Sequence, residues 1–144
     1  MNSDTATKTH EQAIAALNAA FARRYHSVAQ YILNADPYVS PEDKDLLRRI
    51  QAIAEYDHQE AERLSDIIED LDGVPFVPPF DHEVAEWNYL ALPHLAANLA
   101  DALRTQLKQC EKSMPSVEAV PVARKALLDV SAALRKQIES LKAS

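Results

Sequence analysis

The sequence predicts an all-α protein: four amphipathic helices in an up-down bundle, with one long crossover between the second and third. Three observations carry this. The chain of 144 residues holds a single glycine, whereas strand-rich folds need Gly-bearing turns about every 8–12 residues. Apolar residues recur at steps of three and four along four separate stretches. Between the second and third lies GVPFVPPF, whose prolines exclude helix and favour an extended strap that reaches roughly 25 Å at ~3.1 Å per residue.

Length and composition set the frame. Residues 1–144 suffice for one domain with a core, and a hydrophobic content of 47% lies in the ordinary globular range. No apolar run reaches the ~18 residues of a membrane span. The opening MNSDTATKTHEQ has no apolar signal-peptide region. Cys110 is the only cysteine, which excludes an internal disulfide and fits a reducing cytoplasm. A net charge of −7 argues against nucleic acid or an anionic membrane as partner.

In chain order, residues 1–8 are polar and expected to fray. Thr9 and Gln12 have capping-box spacing, which starts a first helix at His10. Its stripe is Ile14, Leu17, Phe21, Val28 and Tyr31 or Ile32, and the position between Phe21 and Val28 falls to Arg24, an arginine on the buried face. Pro37 lies in the break that follows. Ser40-Pro41-Glu42-Asp43 then opens a second helix. Ser40 can cap it, Pro41 suits its first position, and the two acids complement its dipole. That helix is expected over Pro41–Asp72, about 48 Å at 1.5 Å per residue, with Gly73 as a left-handed C-cap.

The strap should place Phe76 and Phe80 on apolar surface. Asp81 can cap a third helix over His82–Lys112 with the stripe Val84, Trp87 or Asn88, Leu92, Leu95, Leu99, Leu103 and Leu107. Pro93 falls inside it and is expected to kink it. After SMPSVEAVP, a fourth helix over Pro121–Leu141 shows Leu127, Val130, Leu134, Ile138 and Leu141, with no polar marker to fix its register.

The second helix carries the strongest anomaly. Its stripe of Leu46, Ile50, Ile53, Leu64, Ile67 and Leu71, continued through its gap, lands on Asp57 and Glu60. Two carboxylates one turn apart thus stand where a bundle core should be apolar.

Leu17-Asn18 with Gln30-Tyr31, and AERLSDIIEDLDGVP at the end of the second helix, are similar to the LN…NQY and AERL…G-x-P segments of ferritin-like proteins of the bacterioferritin and rubrerythrin type. The likeness covers the first half of the chain closely and the second half by helix pattern alone. It implies a ferritin-like bundle. In such bundles a di-iron centre takes one Glu from each of two helices and a Glu-x-x-His pair from each of the other two.

Carried over position by position, the first Glu falls at Arg24, and the second-helix pair falls at Asp57 and Glu60. The third-helix Glu falls near Leu92 or Pro93, and in the fourth helix Asp129 alone could ligate. The resemblance therefore implies a bundle that has lost its di-iron centre, with an Arg24–Asp57/Glu60 ion pair in place of metal. Guanidinium can hold carboxylates through parallel hydrogen bonds; the competing expectation is that Arg24 snorkels to solvent. On this reading the protein binds no cofactor and serves as a structural or binding module.

A divergent iron-binding protein, for storage or ferroxidase chemistry through Asp57, Glu60 and Asp129 or His58, is the alternative. A further option is His58 as a haem ligand across a two-fold dimer interface, in the position of a family methionine. Glu55 and His58 have Glu-x-x-His spacing but lie off the buried stripe, as expected of solvated residues. Arg23, Tyr25, His26, Gln30 and Tyr56 flank the first two helices and suit either a homodimer or larger homo-oligomer or plain solvent exposure. Cys110 is expected to be a packed thiol.

Overall fold

The computed structural model describes residues 3–79, 87 and 90–142. In chain order it forms α1 (Ser3–Tyr25), a short α2 (Val28–Asn34), α3 (Lys44–Asp70), α4 (Leu92–Ser113) and α5 (Pro121–Lys142). Short 3₁₀ turns precede α3 at Pro41–Asp43 and follow α4 at Met114–Val117. The four long helices make an all-α bundle, with α1 packed most extensively on α3 and α4 on α5. Leu17, Ile50, Leu64, Leu99, Leu103 and Leu134 are enclosed at its centre. Among the described residues no helix is long and apolar enough to cross a membrane.

Several boundaries differ from those read in the sequence, each for a local reason. α1 starts at Ser3, not at His10. No proline or glycine interrupts residues 3–10, and His10 Nε2 is held 2.6 Å from the Leu71 carbonyl at the end of α3, so Thr9 and Gln12 lie within the helix.

The first helix is also not continuous. It stops at Tyr25 and restarts at Val28 because Ser27 leaves helical geometry (φ −59°, ψ 120°) and its hydroxyl accepts from the Gln30 amide. Serine side chains compete in this way with helical backbone bonds.

α3 starts at Lys44, three residues after the expected Pro41, because Pro41–Asp43 form a 3₁₀ turn that leads into it. Ser40 and Asp43 close a reciprocal capping box, with the Ser40 amide donating to Asp43 Oδ2 at 3.1 Å. Its other end is a Schellman turn, in which Gly73 N donates to Ile68 O at 2.8 Å and Asp72 N to Glu69 O at 2.9 Å. The left-handed residue is Asp72, at φ 65°, and not Gly73. Aspartate tolerates that region better than most side chains.

Gly73 is needed for closeness instead, since a Cβ there would stand 2.7 Å from Ile14 Cγ2 and 3.2 Å from Ile68 O. Gly73→Ala is expected to cost roughly 1–2 kcal/mol by overpacking the α1–α3 contact. A shift of the urea midpoint without change of slope would record it.

The strap runs beside α1. Asn18 donates to Val74 O at 3.1 Å and accepts from Phe76 N at 2.7 Å, and His26 Nε2 lies 2.7 Å from Pro78 O. Fixing the backbone this way turns the Phe76 ring outward to 65% exposure, against expectation, while Val77 packs on the core. Phe80, Asp81, His82, Val84 and Asn88 lie outside the described residues.

α4 begins at Leu92, and the earlier start read at His82 lies outside the described residues. Leu90 and Ala91 are extended because Tyr38 bridges them, donating to Leu90 O and accepting from Leu92 N, both at 2.9 Å. Pro93 accordingly sits in the first turn of α4, where its missing N–H costs nothing, and starts the helix without kinking it.

Candidate functional site

Where α1 ends beside the middle of α3, three charged side chains meet inside the bundle. Arg24, Asp57 and Glu60 are 1%, 2% and 1% exposed. Asp57 and Glu60 are three positions apart on one helix face, and Arg24 is carried in by the last turn of α1.

Arg24 Nε donates to Glu60 Oε1 at 2.6 Å. Its Nη2 lies 3.1 Å from Asp57 Oδ1, an ion contact without hydrogen-bond alignment. Its Nη1 donates to Gln137 Oε1 at 3.2 Å. The guanidinium thus spans both carboxylates and reaches α5.

Two residues that sequence reasoning passed over complete the cluster. Gln137, on α5, returns its amide Nε2 to Asp57 Oδ1 at 3.0 Å, and Ser27 donates its hydroxyl to Asp57 Oδ2 at 2.7 Å. Each had a signal. Ser27 and Gln30 have capping-box spacing in mid-helix, and Gln137 is a buried amide beside Ile138 on the α5 stripe. That glutamine is the polar marker which fixes the register of α5. Ser27 therefore serves two ends, capping α2 and holding Asp57. Ser27→Ala is expected to lose about 1–2 kcal/mol in chemical denaturation, the upper part of which comes from the bond to a charged acceptor.

The outer edge of the cluster reaches the surface, where Tyr56 is half-buried and Arg63 exposed. Tyr56 Oη donates to Glu60 Oε2 at 3.0 Å, and Arg63 Nη2 lies 3.5 Å from the same oxygen and 3.3 Å from Tyr56 Oη. Both guanidinium carbons, of Arg24 and Arg63, stand 5.9 Å from the Tyr56 ring centroid. Burial, and then the adjoining Glu60 carboxylate, push the Tyr56 phenol above its ordinary value.

Two carboxylates face one enclosed cation, and the imbalance falls on Asp57. Burial raises its carboxyl above the usual aspartate range, against the weaker opposing pull of Arg24, Ser27 and Gln137. A carboxyl raised in the native state binds its proton more readily there than in the unfolded chain. Its contribution to stability is complete below the ordinary aspartate value and is lost as pH rises through the raised one. The wild type should therefore lose stability relative to Asp57→Asn as pH climbs from about 4 towards neutral. Paired urea titrations across that window check this; a flat difference would contradict it.

The other sequence candidates stand apart. The His58 side chain is 76% exposed and pairs with Glu62 at 3.0 Å along the same helix. Glu55 is exposed too. Asp129, exposed on α5 where it borders α3, is held by Lys125 at 3.0 Å. Cys110 is fully buried, donating to Leu127 O at 3.4 Å and accepting from Ser131 Oγ at 3.2 Å.

Among the described residues no three His, Cys, Asp or Glu side chains gather in a metal-binding group. The oxygens of Asp57 and Glu60 that could serve as ligands are already directed at Arg24, Ser27, Gln137 and Tyr56. Compared with family models, with curated proteins and with solved structures, the chain matches none.

Proposed function

We propose that this chain is a ferritin-like bundle which has lost its di-iron centre and acts as a non-catalytic structural or binding module. The observation that carries the proposal is the Arg24 guanidinium, which lies 2.6 Å from Glu60 and 3.1 Å from Asp57. A fixed organic cation stands between the two carboxylates that would otherwise hold a metal. Unlike an iron ion, it offers no open coordination position and no redox chemistry.

The long crossover is part of the same reading. Leu46 at the start of α3, Pro93 at the start of α4 and Leu141 at the end of α5 line one surface hollow, which supports α3 and α4 starting at one end of the bundle. The strap along α1 from Asn18 to His26 supports a connection that travels its length. The exposed Tyr25, Val74 and Phe76 support self-association.

The test is to add ferrous iron in air to the purified chain and follow oxidation rate and bound iron. The proposal expects the rate of the protein-free blank and no stoichiometric iron. Stoichiometric binding that disappears in the Asp57→Asn, Glu60→Gln double variant would replace it with an iron-binding function.

A further inference from the structure

Beside the charge cluster, α3 and α5 do not close on each other. They leave an open groove of about 440 Å³, within the range of small-molecule sites, roughly 300–1,000 Å³. Small side chains form much of its lining: Ala52 on α3, and Ala132 and Ala133 on α5. Ile53 and the Tyr56 ring complete an apolar wall.

The charge around this wall runs against the rest of the molecule. In a chain of net charge −7, the groove collects Arg49, Arg63 and Lys136 against a single acid, Asp129. That acid is engaged by Lys125 at 3.0 Å. Arg49 bonds to Asp45, and Arg63 lies against Glu60. Lys136 is exposed, and among the described residues it joins no ion pair.

An apolar slot with a cationic border matches one class of ligand. We propose that the α3–α5 groove binds an amphipathic organic anion, a carboxylate on an apolar body, with Lys136 as its principal charge partner. The apolar body covers Ile53, Tyr56 and the alanines, where burial supplies the driving force. The head group meets the rim, where charge supplies orientation and selectivity. The inference rests on reading the bundle as a binding module and gives that module its ligand class.

Decanoate is the probe, titrated into the full chain in metal-free buffer, by calorimetry and by backbone amide chemical shifts. One decanoate per chain is expected to saturate below its micellar range, with the largest shifts at Ile53, Tyr56, Ala133 and Lys136. Lys136→Glu should weaken binding about fivefold or more, the scale of a rim ion pair. Ala132→Trp, at an exposed position over the slot, should abolish binding. Both variants should keep the wild-type circular dichroism.

Decanol should bind more weakly than decanoate. Equal binding of decanoate, decanol and decyltrimethylammonium, shifts centred elsewhere, or an unchanged affinity in both variants would overturn the proposal. Iron bound by a chain that also takes decanoate would sink only the reading of the charge cluster; absence of both ligands would sink only the groove.

Discussion

Arg24→Met is expected to lower the unfolding free energy by about 3–5 kcal/mol, because it leaves two buried carboxylates without their enclosed cation. Methionine keeps the length of the side chain and most of its packing, so the loss reports charge more than volume. Ser27, Gln137 and Tyr56 would still donate one hydrogen bond each to the acids, but none of them brings positive charge. Since a domain of this size is typically stable by about 5–15 kcal/mol, the variant should be close to marginal at neutral pH.

The loss should shrink as pH falls. Acidification protonates the carboxylates that the missing guanidinium leaves exposed to one another, Asp57 first, whose carboxyl burial already raises. Urea unfolding at several pH values measures both the size and the trend. A loss below about 1 kcal/mol at neutral pH would show that the enclosed guanidinium contributes no more than an exposed ion pair does.

Glu60→Gln is expected to be the second most costly change, at about 1.5–3 kcal/mol, the scale of a hydrogen bond to a charged partner. Glu60 holds the shorter contact to Arg24, 2.6 Å against 3.1 Å for Asp57, and it also anchors Tyr56 and Arg63. Asp57→Asn should cost clearly less. An amide at that position can still accept from Gln137, and its neutrality removes the surplus negative charge that burial penalises. The order of the two losses, measured on the same denaturation scale, is as informative as their size.

How much of this could be read in advance depended on register. Asp57 and Glu60 interrupt a stripe whose other members are spaced by three and four, so the faces of α3 were legible without any partner. Arg24 was legible for the same reason on α1. Ser27 was harder to read, because its capping-box spacing with Gln30 falls within an apolar stripe that continues on both sides, and its bond to Asp57 lies on another helix.

Gln137 was hidden beside Ile138, which satisfies the stripe equally well. The start of α4 was misplaced because Pro93 suits two positions, a kink or a first turn. The choice between them is made by Tyr38, more than fifty residues away, through a single bridge. Asp72 and Gly73 exchanged roles for a related reason: the glycine is needed by Ile14 across the helix interface, and that demand is non-local. The groove between α3 and α5 was illegible altogether, since Ala52, Ala132 and Ala133 look like ordinary helix formers until the fold brings them to one surface.

Arg24 and the acids of α3 form one enclosed charge cluster, and its members are expected to act as a unit. A double-mutant cycle with Arg24→Met and Glu60→Gln, read by urea unfolding at neutral pH, tests it most directly. A coupling of about 2 kcal/mol or more is expected, so that the double variant is far more stable than the summed single losses imply. Losses that add to within about 0.5 kcal/mol would show that the two side chains act independently, and would contradict it.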